Sequence, residues 1–522
     1  MNDATHRPAV AHPKGLSGPS LGQAALFITG LCILALACAA RLALIGSARF
    51  GGDEIVMFQM AERISRGEEF PLLGTSITGG GASHPGPAFF YLMAAPMLCG
   101  FRSPEAANAF VALLCSFGVL LYWRALRSFF GEAGAATASV LMACLPWSSL
   151  YADRIWNANV INFFIAVAFW AACRLRRRPD LRGVVLLALS AGVLPQFHLS
   201  SPMVWVALAP IAWPALKQWR WRWTLAVVLC ALALYAPLLV FEARTQGHNT
   251  RTFLAESGGH PSSDWLRTPL WALRLLTLDV SYHQLRSYWD LHSEGQMFEL
   301  VLHGNEDVRW TPLRRALLAL SYTFAVGTLG LLLARRLQRA WAKSVPPDPA
   351  AADRTAFLRA ALLGLFANLL LLWATHRSIF GHYVQPLLPF YFVAFAALGQ
   401  AASAWGRARF ALYGVVGALC ASGLDSALWV SRTIDARNGL TTLRTVLAAI
   451  KRDRPALQAA RLEFDYRSQD WGYNVLLSHD PANQLKFDKD GPVYQLRLRR
   501  APPLPGARLV VETGPIAAWA LP

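Results

Sequence analysis

An acidic pair, Asp53-Glu54, follows Gly51 and Gly52 just beyond the first long apolar segment of the chain. A carboxylate can take a proton from a hydroxyl group that lies within hydrogen-bond distance. The two glycines permit a close approach of the backbone. These residue types predict a general base at Asp53 that Glu54 supports. The alternative is a solvated charge pair that marks a helix start, since carboxylates are favourable in the first helical turn.

Apolar segments dominate the rest of the chain. Of its 522 residues, 55% are hydrophobic and 15% are charged, whereas a soluble protein carries about 25% charged residues. A helix needs roughly 20 apolar residues to cross the hydrocarbon core of a membrane. Runs near that length recur along the chain, and they are too long for barrel strands. The sequence therefore predicts an all-α polytopic membrane protein.

The hydrophobic pattern predicts about eleven membrane-spanning helices. They cover residues 21–45, 105–123, 134–150, 160–173, 184–197, 202–216, 223–240, 313–333, 357–373, 384–405 and 410–430. The first outer loop, 46–103, contains a short amphipathic helix at 54–66. It also contains the apolar stretch 84–100, which is short and starts with Pro-Gly-Pro. We expect that stretch to be a juxtamembrane or re-entrant helix that does not cross.

The arginines indicate how the chain is oriented. With the N-terminal tail 1–20 in the cytoplasm and 84–100 not crossing, the basic loops between spans all fall on the cytoplasmic side, as the positive-inside rule requires. The loops that carry Asp53, Asp153 and His198 then lie on the other side, together with the long polar loop 241–310. If 84–100 crossed, every later loop would change sides and the rule would fail.

The segment that follows the transmembrane domain, 21–430, has a different composition. Residues 431–522 lack long apolar runs and predict a small extracytoplasmic α+β domain. Its predicted helices are 440–451 and 469–478, and its predicted strands are 461–466, 493–498 and 507–512.

Composition also argues against several classes of site. The net charge is +18, but the arginines lie in short loops between spans, so no nucleic-acid partner is predicted. The eight cysteines lie in or beside apolar segments without a CxxC motif, which argues against a disulfide framework and a zinc site. The histidines of the loop 241–310 have no regular metal-ligand spacing, so no metal is predicted; they are His248, His260, His283, His292 and His303.

The order of these elements resembles the GT-C membrane glycosyltransferases. The similarity is to the branch with aminoarabinose transferases, protein O-mannosyltransferases and lipopolysaccharide-core sugar transferases, which is glycosyltransferase family 39-like. The matching motifs are Gly52-Asp53-Glu54, then the sequence HPGPAFFY at 84–91, and finally HYVQPLLP at 382–389. The last is similar to an aromatic-x-x-x-Pro-Leu-x-Pro segment that begins a late span in that family. The spacing and topology match over residues 1–240.

The resemblance implies transfer of a sugar from a polyprenyl-phosphate donor, generally with inversion, to a hydroxyl group of an envelope lipid, glycan or protein. It also implies a bacterial inner-membrane protein whose active site faces the periplasm. Asp53 would be the base or would orient the acceptor, and Glu54 would support it. A phosphate leaving group needs no protonation, unlike a glycosidase leaving group. The phosphate needs nearby cations or hydrogen-bond donors instead. No cofactor is expected.

The resemblance also suggests substrate-binding residues. His84 takes the place of a phosphate-contacting Lys or His and would donate to the lipid phosphate, including in its protonated form; its alternative is a turn histidine beside two prolines. Tyr91 ends the same motif. Arg377, His382 and Tyr383 precede a late span, where a basic residue often occurs in the family, and the alternative for this segment is interfacial anchoring.

Polar residues at the outer ends of other spans complete the candidates. Asp153 could serve the site or simply pair with Arg154. Relatives often carry a second acidic residue slightly further on, where this chain has asparagines, so the role of Asp153 stays open. Gln196 and His198 suit either sugar binding or helix-end hydrogen bonds. Arg41, inside the first span, suits either a functional role or snorkelling to the boundary.

Two other classes of function are compatible with a polytopic chain. A transporter or lipid flippase should place charged residues or broken helices near the bilayer midplane, whereas the ionisable residues here concentrate at the outer rim and in the inner loops. A non-catalytic scaffold that presents the C-terminal domain would leave the Asp53-Glu54 loop unexplained.

Overall fold

The computed structural model describes residues 21–77, 81–256, 273, 277–278, 312–341, 349–374, 383, 385–433, 439–455, 459–464, 486–487, 492–498, 505–513 and 516–521. Fifteen helices of five residues or more lie in these ranges, together with five strands.

The helices of the first half surround the candidate site. They are α1 (Leu21–Leu42), α2 (Asp53–Ser65), α3 (Ala88–Leu98), α4 (Pro104–Cys144), α5 (Pro146–Leu150), α6 (Asn157–Arg177), α7 (Leu181–Phe197), α8 (Met203–Leu216), α9 (Trp221–Thr245) and α10 (His248–Glu256). The later helices are α11 (Pro312–Trp341), α12 (Pro349–Ala374), α13 (Leu388–Ala402), α14 (Arg409–Thr433) and α15 (Leu440–Asp453).

Every predicted span corresponds to helix in the structure. Seven helices are long and apolar enough to cross a membrane, judged by length and composition over the described residues. One of them, α4, contains the predicted span 105–123 and most of the predicted span 134–150. The two parts are separated by a kink at Gly131, where the backbone leaves helical geometry with φ at 66°. Shorter apolar helices α7, α8 and α13 match three further predicted spans. The chain is therefore a multi-pass helical membrane protein.

The two short helices of the first outer loop are present. Helix α3 has 11 residues, so at 1.5 Å per residue it covers about 16 Å and is too short to cross. Helix α2 begins at the acidic pair and buries Ile55, Met57 and Phe58. It packs against α3 and lies within the fold rather than on its surface, because its apolar positions point into the protein core.

The basic loops gather at the end of the bundle opposite Asp53. Helix α6 begins near the candidate site and ends in arginines, and Arg176 forms an ion pair with Asp353 of α12 at 2.8 Å. Arg177, the next residue of α6, donates to the carbonyl of Ser128 and lies over the ring of Phe129. One end of the helical bundle is thus strongly basic.

The C-terminal domain combines α15 with a five-stranded mixed sheet. The strands are β1 (Ala459–Phe464), β2 (Lys486–Phe487), β3 (Val493–Leu498), β4 (Arg508–Thr513) and β5 (Ile516–Ala520), in the order β2-β1-β3-β5-β4. Strands β1, β2 and β3 are parallel, whereas β5 is antiparallel to β3 and β4. The α+β prediction is confirmed; β2 and β5 were not predicted, and the predicted helix 469–478 lies outside the described residues.

Helix α15 fixes this domain to the end of the bundle that carries Asp53. The amide of Leu440 donates to the carbonyl of Ala48. Arg444 forms a two-pronged ion pair with Glu105 at the start of α4, with Nη2 at 2.9 Å from Oε2.

Reversing the charge at Arg444 should loosen this domain. Arg444→Glu places two carboxylates together and removes an ion pair worth about 1 kcal/mol, so limited proteolysis should release the C-terminal domain faster. Arg452→Glu, on the same helix but without a carboxylate partner among the described residues, serves as the control. The double variant Glu105→Arg/Arg444→Glu should restore resistance; equal cleavage of the single and double variants would contradict a role for the pair.

Candidate functional site

The first turn of α2 separates the two acidic side chains. Gly52 precedes the helix with φ at 54°, a left-handed conformation that a side chain rarely adopts. Because successive residues of a helix point about 100° apart, Asp53 is exposed while Glu54 is only 5% exposed. The pair therefore provides one accessible carboxylate and one buried carboxylate.

Glu54 belongs to a chain of alternating charges, here called the ion network, that consists of Arg49, Glu54, Arg154 and Asp153. Its carboxylate lies 3.9 Å from Nε of Arg49 and 4.0 Å from Nη1 of Arg154. Nε of Arg154 lies 3.6 Å from Oδ1 of Asp153. Asp153 is fully buried and Arg154 nearly so. The network therefore joins the start of α2 to the loop between α5 and α6.

Burial and neighbouring charges act on Glu54 in opposite directions. Burial raises the pKa of Glu54, and the charge of Asp53 adds to that, while Arg49 and Arg154 favour the carboxylate. Removing one member of a buried ion pair leaves the other charge uncompensated. Glu54 thus anchors the start of α2 beside Arg154.

The loop that carries Asp153 and Arg154 is fixed by several helices. In α1, the buried guanidinium of Arg41 donates to Oγ of Ser148 at 2.9 Å and to its carbonyl at 3.3 Å. In α4, Oδ1 of Asn108 accepts from the amide of Ile155 at 2.8 Å. Arg41 therefore does not snorkel outward; it holds the turn next to the ion network.

The two asparagines at the start of α6 are part of the same framework. Nδ2 of Asn159 donates to the carbonyl of Arg154 at 3.3 Å. Nδ2 of Asn157 donates to the carbonyl of Phe197 at 2.7 Å and to Oγ1 of Thr75 at 3.3 Å. These neutral amides tie three loops together.

His84 lies in a loop that is held from two sides. Backbone bonds pair it with the strand-like segment before it, since its amide donates to the carbonyl of Thr75 and its carbonyl accepts from Gly74. From α10, the side chain of Asn249 bonds both the amide and the carbonyl of Ser83, at 2.7 and 3.1 Å. Glu256 accepts from the amide of Gly81 at 2.6 Å. Sequence analysis missed α10, which begins inside a segment predicted to be loop.

The ring of His84 lies in a small aromatic cluster. Its centroid is 6.0 Å from the ring of His198, which is 5.0 Å from Tyr383. The His84 side chain is buried, and its Nδ1 has no hydrogen-bond partner among the described residues. Burial lowers the pKa of His84 to about 4, although the Pro195 carbonyl and the charge of Asp53 oppose the shift. At neutral pH the imidazole is therefore neutral, and its single N–H donates to the Pro195 carbonyl.

Other predicted site residues are engaged in the framework. Gln196 accepts from the amide of Ala88 at 3.2 Å and donates to the carbonyl of Leu234 at 2.6 Å, so it caps α3 and ties it to α9. Tyr91 is exposed, and its hydroxyl donates to the carbonyl of Pro71 at 3.3 Å. His198 shares a 2.8 Å hydrogen bond with Oγ of Ser200. Arg377 and His382 lie outside the described residues.

The described residues contain no group of three His, Cys, Asp or Glu side chains that could hold a metal ion. Of the histidines in the long outer loop, His248 begins α10, and the other four lie outside the described ranges.

Acidification should destabilise the protein through His84. The folded state keeps this pKa near 4, whereas an unfolded histidine has a pKa of about 6.5. Between these values the unfolded state binds the proton and the folded state does not, so stability is present above pH 6.5 and is lost as the pH falls. From pH 7 to pH 5 the loss should be about 2 kcal/mol.

The measurement is the melting temperature of detergent-purified protein at both pH values. His84→Gln should show a smaller fall than the original chain, because it lacks the titrating group. An equal fall in both proteins would show that His84 titrates normally when folded.

Gly86 allows Gln196 to reach the start of α3. A side chain at position 86 would overlap Oε1, Cδ and Nε2 of Gln196. Gly86→Ala should therefore displace the cap and lower stability by about 1–3 kcal/mol. Gly414→Ala is the matched control, because a Cβ there meets nothing within 4 Å. Equal melting temperatures for the two variants would contradict the packing argument.

Comparison with known proteins places the fold. No family model matches the chain, and no curated protein matches it. Among solved structures, ArnT from Cupriavidus metallidurans in the apo state matches at 13% identity and a TM-score of 0.51, over 95% of this chain and 98% of that chain. The same protein bound to undecaprenyl phosphate matches at 12% identity and a TM-score of 0.49, over 94% and 97% of the two chains.

A second similar structure is the oligosaccharyltransferase AglB from Archaeoglobus fulgidus, in complex with an inhibitory peptide and a dolichol-phosphate. It matches at 14% identity and a TM-score of 0.41, over 82% of this chain and 58% of that chain. The match to apo ArnT extends over nearly the whole of both chains, and an identity this low establishes a common architecture rather than a common substrate. The chain therefore shares the overall fold of apo ArnT, in agreement with the resemblance that the order of its motifs indicated.

Proposed function

We propose that the protein is an integral-membrane glycosyltransferase that moves a sugar from a polyprenyl-phosphate donor to a hydroxyl group of an envelope acceptor. The observation that carries the proposal is the exposed Asp53 carboxylate beside the buried ion network. Such an arrangement gives a proton acceptor a fixed position, since helix α2 cannot shift without separating buried charges. The GT-C fold adds support.

The proposed reaction needs one base and a stabilised leaving group. The acceptor oxygen forms a bond to the anomeric carbon while its proton passes to Asp53. The bond between that carbon and the donor phosphate breaks, and its electron pair stays on the phosphate. Attack opposite the departing phosphate inverts the configuration. No step is assigned to a cofactor or a metal ion.

The cluster of His84, His198 and Tyr383 is the proposed contact for the donor phosphate. Neutral imidazole and phenol groups can each donate one hydrogen bond to phosphate oxygens. The one N–H of neutral His84 donates to the Pro195 carbonyl, so His84 is proposed to donate to the phosphate from Nδ1 in its protonated form, which a nearby anion favours. Arg377 and His382 are proposed to add positive charge from the segment before α13, where a phosphate is best stabilised by charged donors. ArnT of Cupriavidus metallidurans, which shares the fold, has been solved with undecaprenyl phosphate.

The positive-inside distribution supports an outer, periplasmic active site in a bacterial inner membrane. The basic end of α6, which meets the middle of α4 at Ser128, lies opposite Asp53, and a basic end normally faces the cytoplasm. The acceptor is proposed to be an envelope lipid, glycan or protein on the outer side. A transporter is expected to carry a charged residue within its membrane-spanning part, and Arg41 is a buried charge of that kind. Its guanidinium, however, donates to backbone and hydroxyl oxygens and so serves the loop framework.

Asp53→Asn should abolish sugar transfer while leaving the fold intact, because Asp53 is exposed and lies outside the buried ion network. Loss of a general base typically lowers the rate by about 10²–10⁴-fold. The measurement is mass spectrometry of envelope lipids and glycans from cells that lack the gene and carry each variant. The original chain should add one sugar to an acceptor, and Asp53→Asn should leave the polyprenyl-phosphate sugar to accumulate.

Glu68→Gln is the matched control, since Glu68 is an exposed carboxylate of the same outer loop. Its glycan profile should equal that of the original chain. Full transfer by Asp53→Asn would remove Asp53 from the chemistry, and an unchanged profile without the gene would count against the whole proposal.

A further inference from the structure

A cavity lies far from Asp53, at the basic end of the bundle. Its volume is about 710 Å³, and it is enclosed by α11, α12 and α13. Helix α13 begins beside the segment that carries Tyr383 and runs 15 residues, which corresponds to about 22 Å. The cavity is lined by the far end of that helix, including Gln400 and Ser403. It is therefore separate from the candidate active site.

Two arginines give the cavity its charge. Arg354 and Arg359 of α12 both line it, and neither forms an ion pair with a carboxylate in the part of the chain that the structure describes. The nearest acidic residue in sequence, Asp353, is paired with Arg176 of α6. The cavity thus presents two cations whose natural complement is an anion.

The remaining walls are apolar. Leu332, Leu358 and Leu362 line one part, and Phe130 and Ala397 line another. A free inorganic anion would gain nothing from these surfaces, whereas a hydrocarbon chain buries apolar area against them. A cavity that is lined by both arginines and leucines matches a molecule with a charged head and an apolar tail.

The position in the membrane agrees with such a ligand. The cavity shares its end of the bundle with the arginines that close α6, and Arg176 and Asp353 join the two regions directly. By the positive-inside rule this end faces the cytoplasm, where anionic lipids concentrate and basic pockets between helices bind their head groups.

We infer that this cavity binds one anionic glycerophospholipid, with its phosphate between Arg354 and Arg359 and an acyl chain along the leucines of α11 and α12. Gln400 and Ser403 can supply further hydrogen bonds to the head group. The site does not depend on the sugar-transfer reaction. Its occupant joins three helices that follow the long outer loop, so its retention should stabilise them.

The test is native mass spectrometry of the purified full chain, which counts retained lipid. With phosphatidylglycerol added to the detergent, the original chain should retain one molecule, and phosphatidylcholine should bind far less. Each arginine near a lipid phosphate contributes to the binding free energy. The double variant Arg354→Gln/Arg359→Gln should therefore weaken lipid retention roughly tenfold or more. Arg407→Gln is the matched control, because Arg407 is an exposed arginine of an inner loop outside the cavity.

A second variant tests the apolar part without changing charge. Ala397→Trp places an indole in the cavity and should also reduce lipid retention, while size-exclusion elution stays that of the original chain. Equal retention of phosphatidylglycerol by the original chain, the double variant and Ala397→Trp would overturn the proposal. Displacement of the lipid by millimolar inorganic phosphate would also overturn it, since it would indicate a site for a soluble anion.

Discussion

The ion network of Arg49, Glu54, Arg154 and Asp153 is the constraint on which the outer end of this protein depends. Glu54, Arg154 and Asp153 are buried while Arg49 is partly exposed, and taking three charges out of water is a cost that only mutual attraction and surrounding hydrogen bonds offset. Such a group tolerates little displacement, so it holds α2 against the loop after α5. The exposed Asp53 is held in a fixed position by the same network, because it shares the first turn of α2 with buried Glu54.

Around the network, helix ends and loops satisfy one another's backbone groups. Asn249 bonds both polar atoms of the Ser83 backbone, Gln196 caps α3, and Asn157 joins the end of α7 to the first outer loop. Unpaired backbone groups are costly where water is scarce. These amide side chains therefore allow irregular loops to lie at the top of a membrane bundle, and they leave His84 in a dry, fixed position.

The bundle has two chemically different ends. One holds the ion network, the aromatic cluster of His84 and the docked C-terminal domain; the other collects arginines and the cavity of Arg354 and Arg359. Both ends place charge next to apolar helices, but the outer charges are mutually paired while two inner cations face a cavity. Paired charges fix a geometry, and unpaired cations suit recognition of an anionic ligand.

The sequence by itself determined the class of the protein, the number of apolar helices and the acidic loop, because hydrophobic length, the position of arginines and the Gly-Asp-Glu order are local properties. It also predicted α15, β1, β3 and β4, whose patterns of apolar residues are regular. It did not predict α10 or the short strands β2 and β5. Only the tertiary structure decided that Asp53 is exposed and Glu54 buried, that Arg41 binds Ser148, and that Gln196 caps α3. These outcomes depend on which distant segments meet, and burial and hydrogen-bond partners across a hundred residues leave no periodic signal in the chain.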